Sequence, residues 1–301
     1  MHLPSPLGLK AIAAKLSAIR APFTFPPVFI ARADTVVSWS PKSGCSHVVL
    51  WALLHEGFLQ EAGGAKELPH RFRIQVYQKR PEVVARVRRL RRQGGAGQTL
   101  VRVTRDPRKR LVSIFRHACR FPFLAPVVRA RLGFDPEVEG LSLADLDAVL
   151  GHLDLRSTTA ADPHVRGQWT PLWELDFDRV VSLNMDELPL DPGLNAIERD
   201  LGLPVTDFAA LPEFRKLRDL HYARPRRFAQ DGPIETYRFR REETKRFPKR
   251  ELLASPLLAE MARRHYRHDI PWIASGDTAG RLFQPAAAPA QVVPAGMAAQ
   301  Q

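Results

Sequence analysis

The sequence predicts an α/β protein with a central, mainly parallel sheet flanked by helices, and three observations lead there. An apolar run, Thr35 to Ser40, ends in the turn Pro41-Lys42-Ser43-Gly44-Cys45-Ser46 and is followed by a helical stretch, His47 to Leu59. A second β-rich run, Thr99 to Thr104, ends at Arg105-Asp106-Pro107 and leads into a helix over Arg108 to Arg120. A third strand candidate, Arg179 to Leu183, precedes a helical stretch from Asp191 to Leu201. Strands alternating with helices are the pattern of a parallel sheet covered on its faces.

The first turn carries the most chemistry. A strand, a tight Gly-containing turn and a helix start bring backbone N–H groups together at the positive end of a helix dipole. Lys42 adds a cation, and Ser46 is expected to cap the helix and offer a hydroxyl. Such a cradle suits a phosphate or sulfate. It is not a Walker A loop, because Lys42 precedes Gly44 instead of following a second glycine. The plainer alternative is an ordinary strand-to-helix turn with a capping Ser and a surface Lys.

The second junction adds to the first. Asp106 suits an N-cap and Pro107 the first helical position. Arg105 stands at the junction, with Arg110, Ser113 and Arg116 on the helix. Ser113 and Arg116 share a face at a spacing of three. Ligands of open α/β sheets gather beyond the carboxyl ends of the strands. Two such junctions on neighbouring strands would therefore grip two anionic groups of one ligand. The alternatives are a structural ion pair for Arg105 and a solvated or back-bonded Ser113.

At these residues the chain resembles the sulfotransferases that use 3'-phosphoadenosine 5'-phosphosulfate (PAPS). Their 5'-phosphosulfate loop is similar to Pro41 through Ser46, and their 3'-phosphate signature to Arg105-Asp106-Pro107 through Ser113. The Gly-Cys-Ser variant is most similar to the carbohydrate-sulfotransferase branch. Asp162 to Gln168 resembles that branch's His-x-x-x-Gln segment, Phe177 to Leu188 its next strand and acidic turn, and Tyr266 to Asp269 its last helix. The sequence departs from that pattern at Val165 and Gly167, at Asn184 and at Arg108. These departures bear on the acceptor more than on the donor.

The resemblance implies a P-loop-type three-layer fold over residues 34–273; patterning and composition put an amphipathic extension, 1–33, before it and a disordered tail, 274–301, after it. The resemblance also implies PAPS as donor, adenosine 3',5'-bisphosphate as product, and no metal. Lys42, Ser43, Gly44, Cys45, Ser46, Arg105 and Ser113 would bind the donor. Lys42 would also stabilise charge on the leaving oxygen. A base is needed for the acceptor hydroxyl. The candidates are His47, His55, Glu56, His70 and His164, with His70 first and His164 next. His70 opens a segment, His70 to Val76, that alternates like a strand. In relatives a late basic segment covers the nucleotide, which points to Arg224, Arg226 and Arg227.

The remaining segments read more coarsely. Leu9 to Arg20 is a short basic amphipathic helix, expected to pack on the domain, with surface attachment to a membrane as the alternative. Pro81 to Arg92 is a helix made intensely basic by Arg86, Arg88, Arg89, Arg91 and Arg92. Ser142 opens a helix to about Leu153 with a capping-box pattern, and Ser255 to His268 is the last helix. Arg215 to Phe247 is rich in Arg and aromatics and matches no single element.

Lys and Arg number 45 against 32 Asp and Glu, a net charge of +13 that favours anionic partners. Cys45 and Cys119 alone exclude a disulfide framework. No segment approaches the ~20 apolar residues of a membrane span, and no signal-peptide core is apparent. The expectation is a cytoplasmic enzyme acting on a small-molecule or glycan acceptor, without a nucleic-acid partner. Two competing readings are a P-loop nucleotide kinase-like enzyme and a non-catalytic basic protein that binds polyanions or nucleic acid.

Overall fold

Strands rich in β-branched residues form the sheet, in the order β1 (Val28–Ile30), β2 (Thr35–Trp39), β3 (Thr99–Thr104) and β4 (Arg179–Asn184). The computed structural model describes residues 25–63, 69–157, 160–221, 224–225, 227–229 and 231–273. β1 pairs antiparallel with β2, with Val28 opposite Val37. β2, β3 and β4 run parallel, with Val37 beside Val101 and Val101 beside Val181. The fold is therefore α/β, a four-stranded mixed sheet flanked by helices. Every residue of β2 is buried, as expected for a strand covered on both faces.

Helices α1 (Cys45–His55), α2 (Leu59–Gly63), α3 (Pro69–Gln75) and α4 (Pro81–Gln93) make the crossover from β2 to β3. Helices α5 (Pro107–Arg120), α6 (Ala125–Leu132), α7 (Pro136–Glu139) and α8 (Leu143–Leu150) lie between β3 and β4. After β4 come α9 (Leu190–Asp200) and α10 (Pro212–His221). A small parallel pair, β5 (Arg224–Pro225) and β6 (Arg246–Phe247), precedes α11 (Lys249–Ala254) and α12 (Pro256–His265). Among the described residues no single helix is long and apolar enough to cross a membrane.

Apolar burial divides into two clusters. One surrounds the sheet and includes Trp51 and Leu53 of α1 with Leu194 and Ile197 of α9. The other joins Leu111, Ile114 and Phe115 of α5 to Leu146 and Val149 of α8, Met261 of α12, and Phe239 and Phe247. Phe115 packs edge-on against Phe239 and Phe247, at 5.7 and 5.6 Å between ring centroids. Helix α5 thus begins at the end of a sheet strand and buries its apolar face in the second cluster.

Several sequence expectations are corrected. His70 to Val76 is not a strand. It lies mostly in α3, where Pro69 takes the first position and Phe72 and Arg73 turn inward. The helix expected over His47 to Leu59 starts at Cys45 and breaks after His55, and Gly57 takes φ 83° before α2. The helix from Ser142 ends at Leu150, although its capping box with Asp145 is present. The last helix is shorter, with Ser255 as its cap. Strand β1 falls within the residues assigned to the N-terminal extension. The segments Leu9 to Arg20 and 274–301, together with Arg226, lie outside the described residues.

Glu198 ties α1 to α9 and generates a stability prediction. It is fully buried and accepts hydrogen bonds from Trp51 Nε1 (2.8 Å), His55 Nε2 (2.9 Å), Thr206 N (2.8 Å) and Thr206 Oγ1 (2.5 Å). Burial works to raise its carboxyl, but these donors outweigh burial and hold it below the usual glutamate range. Replacing it by Ala strands those donors, a loss of about 3 kcal/mol by the scale of broken buried pairs. Urea denaturation at pH 7 measures this. A depressed carboxyl contributes fully above its unfolded pKa and loses that contribution as pH falls through the folded one. The gap between wild type and Glu198→Ala therefore narrows in acid.

Candidate functional site

Beyond Trp39 the chain turns tightly into α1. Lys42 (φ 68°) and Gly44 (φ 69°) both take the left-handed region. For a residue with a side chain such backbone costs on the order of 1–3 kcal/mol and persists only when its surroundings hold it. Here they do. Ser43 N donates to Ser40 O (3.2 Å), and the two Ser hydroxyls lie 2.8 Å apart. Pro41 O accepts from Arg110 Nε (3.0 Å), and Lys42 O accepts from Arg105 Nη1 (2.9 Å). Glycine suits φ 69° at position 44, and a Cβ there would lie 2.5 Å from Leu190 Cδ1, so that side chain would have to turn aside.

Gly44, not Ser46, caps α1, and it does so without a side-chain hydrogen bond. Ser46 is the buried second residue of the helix. Among the described residues the N–H groups of Gly44, Cys45 and Ser46 donate to no protein acceptor. They stand at the positive end of the α1 dipole, an arrangement suited to an anion.

The second junction differs from expectation. Asp106 caps α5, accepting from Lys109 N at 3.0 Å. Asp186 Oδ2 accepts from Asp106 N at 2.7 Å, and Asp186 Oδ1 pairs with Lys109 Nζ at 3.2 Å. Carboxylates therefore cover the start of α5, and it is no open cradle. What this junction offers an anion is side chains. Arg105 Nη1 donates to Ser113 Oγ at 2.9 Å, the same nitrogen that reaches Lys42 O.

Gln168 locks the two turns together. Its Oε1 accepts from Ser43 Oγ (3.0 Å) and from Arg105 N (2.9 Å), and its Nε2 donates to Arg105 O (2.8 Å). Its own N–H donates to Asp269 Oδ1 (2.8 Å). Burial raises the Asp269 carboxyl above the usual range despite Arg110 nearby and its hydrogen bonds. Arg110, only 1 % exposed, donates to Pro41 O and to Arg166 O (2.6 Å), with its guanidinium 5.4 Å from the Tyr266 ring centroid. Tyr266 OH donates to Val165 O at 2.8 Å. The segments around Lys42, Arg105, Gln168, Asp186 and Asp269 thus converge on one end of the sheet.

Cations crowd this end. Burial first, then Arg116, Arg110 and Arg120, bring Lys42 down to about 8, with Cys45 opposing. Burial and the charges of Arg116 and Arg105 lower Lys249, and burial with Arg120 lowers Arg116. Lys249 is the late basic residue that sequence reasoning missed. Arg224 instead lies in β5, and Arg227 is exposed.

The two histidine candidates have different neighbours. His70 acts electrostatically on the Cys45 thiol and helps lower it. His164 Nδ1 donates to Asp162 Oδ1 at 2.8 Å, and its ring lies 4.4 Å from that of His117. His117, also missed from sequence, feels burial first and then Lys42 and His164, which push it down to about 2. His47 pairs with Asp191 (3.0 Å), and His55 with Glu198, both outside this cluster.

Compared with protein-family models, curated proteins and solved structures, the chain returns no match. The functional reading therefore rests on the residues themselves.

Gln168→Leu removes the lock at nearly constant volume and leaves Arg105 N and Ser43 Oγ without their acceptor. The expected loss is about 2 kcal/mol or more, since unsatisfied buried donors cost ~1–3 kcal/mol each. Chemical denaturation measures it, and a loss below ~0.5 kcal/mol would show that the turns hold each other without Gln168.

Proposed function

We propose that this chain is a PAPS-dependent sulfotransferase with a P-loop-type fold, acting on a hydroxyl of a carbohydrate or other small acceptor. The carrying observation is that Arg105 Nη1 donates both to Lys42 O and to Ser113 Oγ, so the two anion signatures meet on adjacent strands. An adenosine 3'-phosphate 5'-phosphosulfate has one anionic group for each.

The residues suit such a ligand. The cradle N–H groups stand at the positive end of the α1 dipole, and burial first, with neighbouring cations second, lowers Lys42, Arg116 and Lys249, whose charged forms a bound anion would favour. When bound, PAPS supplies the sulfuryl group that is transferred. Lys42 and the N–H groups of Gly44, Cys45 and Ser46 stabilise negative charge in the cradle. Arg105 and Ser113 hold the 3'-phosphate. His164 is favoured over His70 as base, because Asp162 accepts a hydrogen bond from Nδ1–H and so leaves Nε2 free to accept a proton. His117 stays neutral beside it. A cytoplasmic setting accompanies this reading.

A second reading draws on α4, where Arg88, Arg89, Arg91 and Arg92 are exposed. A basic protein that binds polyanions or nucleic acid would use that face, and its affinity would fall steeply with salt. The kinase-like reading has no comparable support, given the place of Lys42 before Gly44.

Thermal melts discriminate. Adenosine 3',5'-bisphosphate raises the melting temperature, and ATP with Mg²⁺ does not. Arg105→Ala and Ser113→Ala lose the shift. Equal stabilisation by single-stranded DNA, with both variants unaffected, supports the second reading instead. In sulfate-transfer assays His164→Asn lowers turnover by about 10²–10⁴-fold, the usual worth of a general base, while the bisphosphate shift persists.

Affinity also depends on pH with a definite sign. A bound anion keeps Lys42 protonated, so above about 8, where the free protein has lost that proton, binding must take one up. Bisphosphate affinity falls by up to about tenfold per pH unit there. Calorimetry between pH 7.5 and 9.5 measures it, and Lys42→Arg flattens the profile, because a guanidinium stays protonated across the range.

A further inference from the structure

A buried guanidinium stands beside the cradle. Arg73 is 2 % exposed, its Nε and Nη1 donate to no acceptor among the described residues, and its guanidinium lies 5.2 Å from the Trp39 ring centroid. A charge left so is costly unless an anion answers it. Burial works to strip its proton, and the opposing influence is the Cys45 sulfur. His70 precedes Arg73 by three residues on α3, so the two share a face, and the charges of His70 and Lys42 act on the same sulfur. Cys45 is itself the first residue of α1, half-buried, where the helix dipole favours negative charge.

We propose that Cys45 is held as a thiolate, the counterion of Arg73, His70 and Lys42, and is a modification site for peroxides, disulfides and alkylating electrophiles that closes the anion cradle when it reacts. The electrostatics agree. Burial would raise this thiol, but the charge and hydrogen bond of His70, with Lys42, outweigh it and bring it down to about 6. Cys119 is the internal contrast, for burial and the charge of Glu243 push it well above the usual range.

The chemistry balances simply. With hydrogen peroxide the sulfur attacks one oxygen and the O–O bond breaks. The leaving hydroxide takes a proton to give water, and the thiolate is oxidised to a sulfenic acid. With iodoacetamide a C–S bond forms as the C–I bond breaks and iodide departs. Either product adds bulk beside the N–H groups of Gly44, Cys45 and Ser46. This holds for any anionic ligand of the cradle, whether or not it is PAPS.

The test is iodoacetamide labelling of the full-length chain from pH 5 to 9, read by peptide mass spectrometry. Cys45 labels with a rate inflection near 6, and Cys119 stays unlabelled while the protein is folded. His70→Asn, a substitution at a half-buried position, moves the inflection up toward the ordinary thiol value of ~8.5. A wild-type inflection already near ~8.5, or no movement in His70→Asn, overturns the thiolate. Labelling should abolish the melting shift given by adenosine 3',5'-bisphosphate, and an unchanged shift overturns closure. In Cys45→Ser whatever shift occurs is the same before and after reagent. If unlabelled wild type gives no bisphosphate shift, the donor reading falls, while the labelling profile still decides Cys45.

Discussion

One guanidinium nitrogen holds the functional end of this molecule together. Arg105 Nη1 binds the carbonyl of Lys42 and the hydroxyl of Ser113, and Gln168 clasps the Arg105 backbone from its other side. A carbonyl fixed this way keeps Lys42 in a conformation its side chain resists. The strain at Lys42 and the order of the second junction are one structural fact. Parallel pairing of β2 with β3 makes it possible, since it brings both strand ends to the same side of the sheet.

The same end of the sheet shows a conflict between stability and binding. Lys42, Arg116 and Lys249 are drawn into partial burial among cations, which disfavours their charged forms. Folding does not reward such an arrangement. It is offset by Gln168, Tyr266 and Arg110, whose hydrogen bonds are made to backbone carbonyls and so satisfy polar groups without consuming the cluster's charge. Sites that violate local rules in this way are where function is expected.

Much of this was legible in the chain. The strands at Thr35, Thr99 and Arg179 declared themselves by β-branched runs, and the caps at Asp106, Ser142 and Ser255 by their residue types. Strand-turn-helix order suggested that the two signatures could meet, and the parallel pairing of β2 with β3 brings them together. What was hidden has physical reasons. His70 to Val76 alternates, but the segment folds as a seven-residue helix from Pro69 that buries Phe72 and Arg73 and leaves Ile74 and Val76 exposed. Ser46 looked like a cap, yet the turn closes two residues earlier on a left-handed Gly44. Asp186, distant in sequence, neutralises the start of α5, and no local signal announces that. Arg110 was legible on the helix beside Ser113, but its burial against Pro41 O and Arg166 O was not. Arg73 could not be flagged, because nothing in a helix of mixed residues marks one arginine as buried.

Helix α5 has a double allegiance that reaches beyond the site. Its first turn is fastened to the sheet, while its apolar side belongs to the aromatic group of Phe115, Phe239 and Phe247. The helix is a lever whose fulcrum is remote from the loop it steadies. Loosening that aromatic nest would tilt Ser113 away from Arg105 without touching either residue, so residues far along the chain share in setting how firmly the cradle keeps its shape.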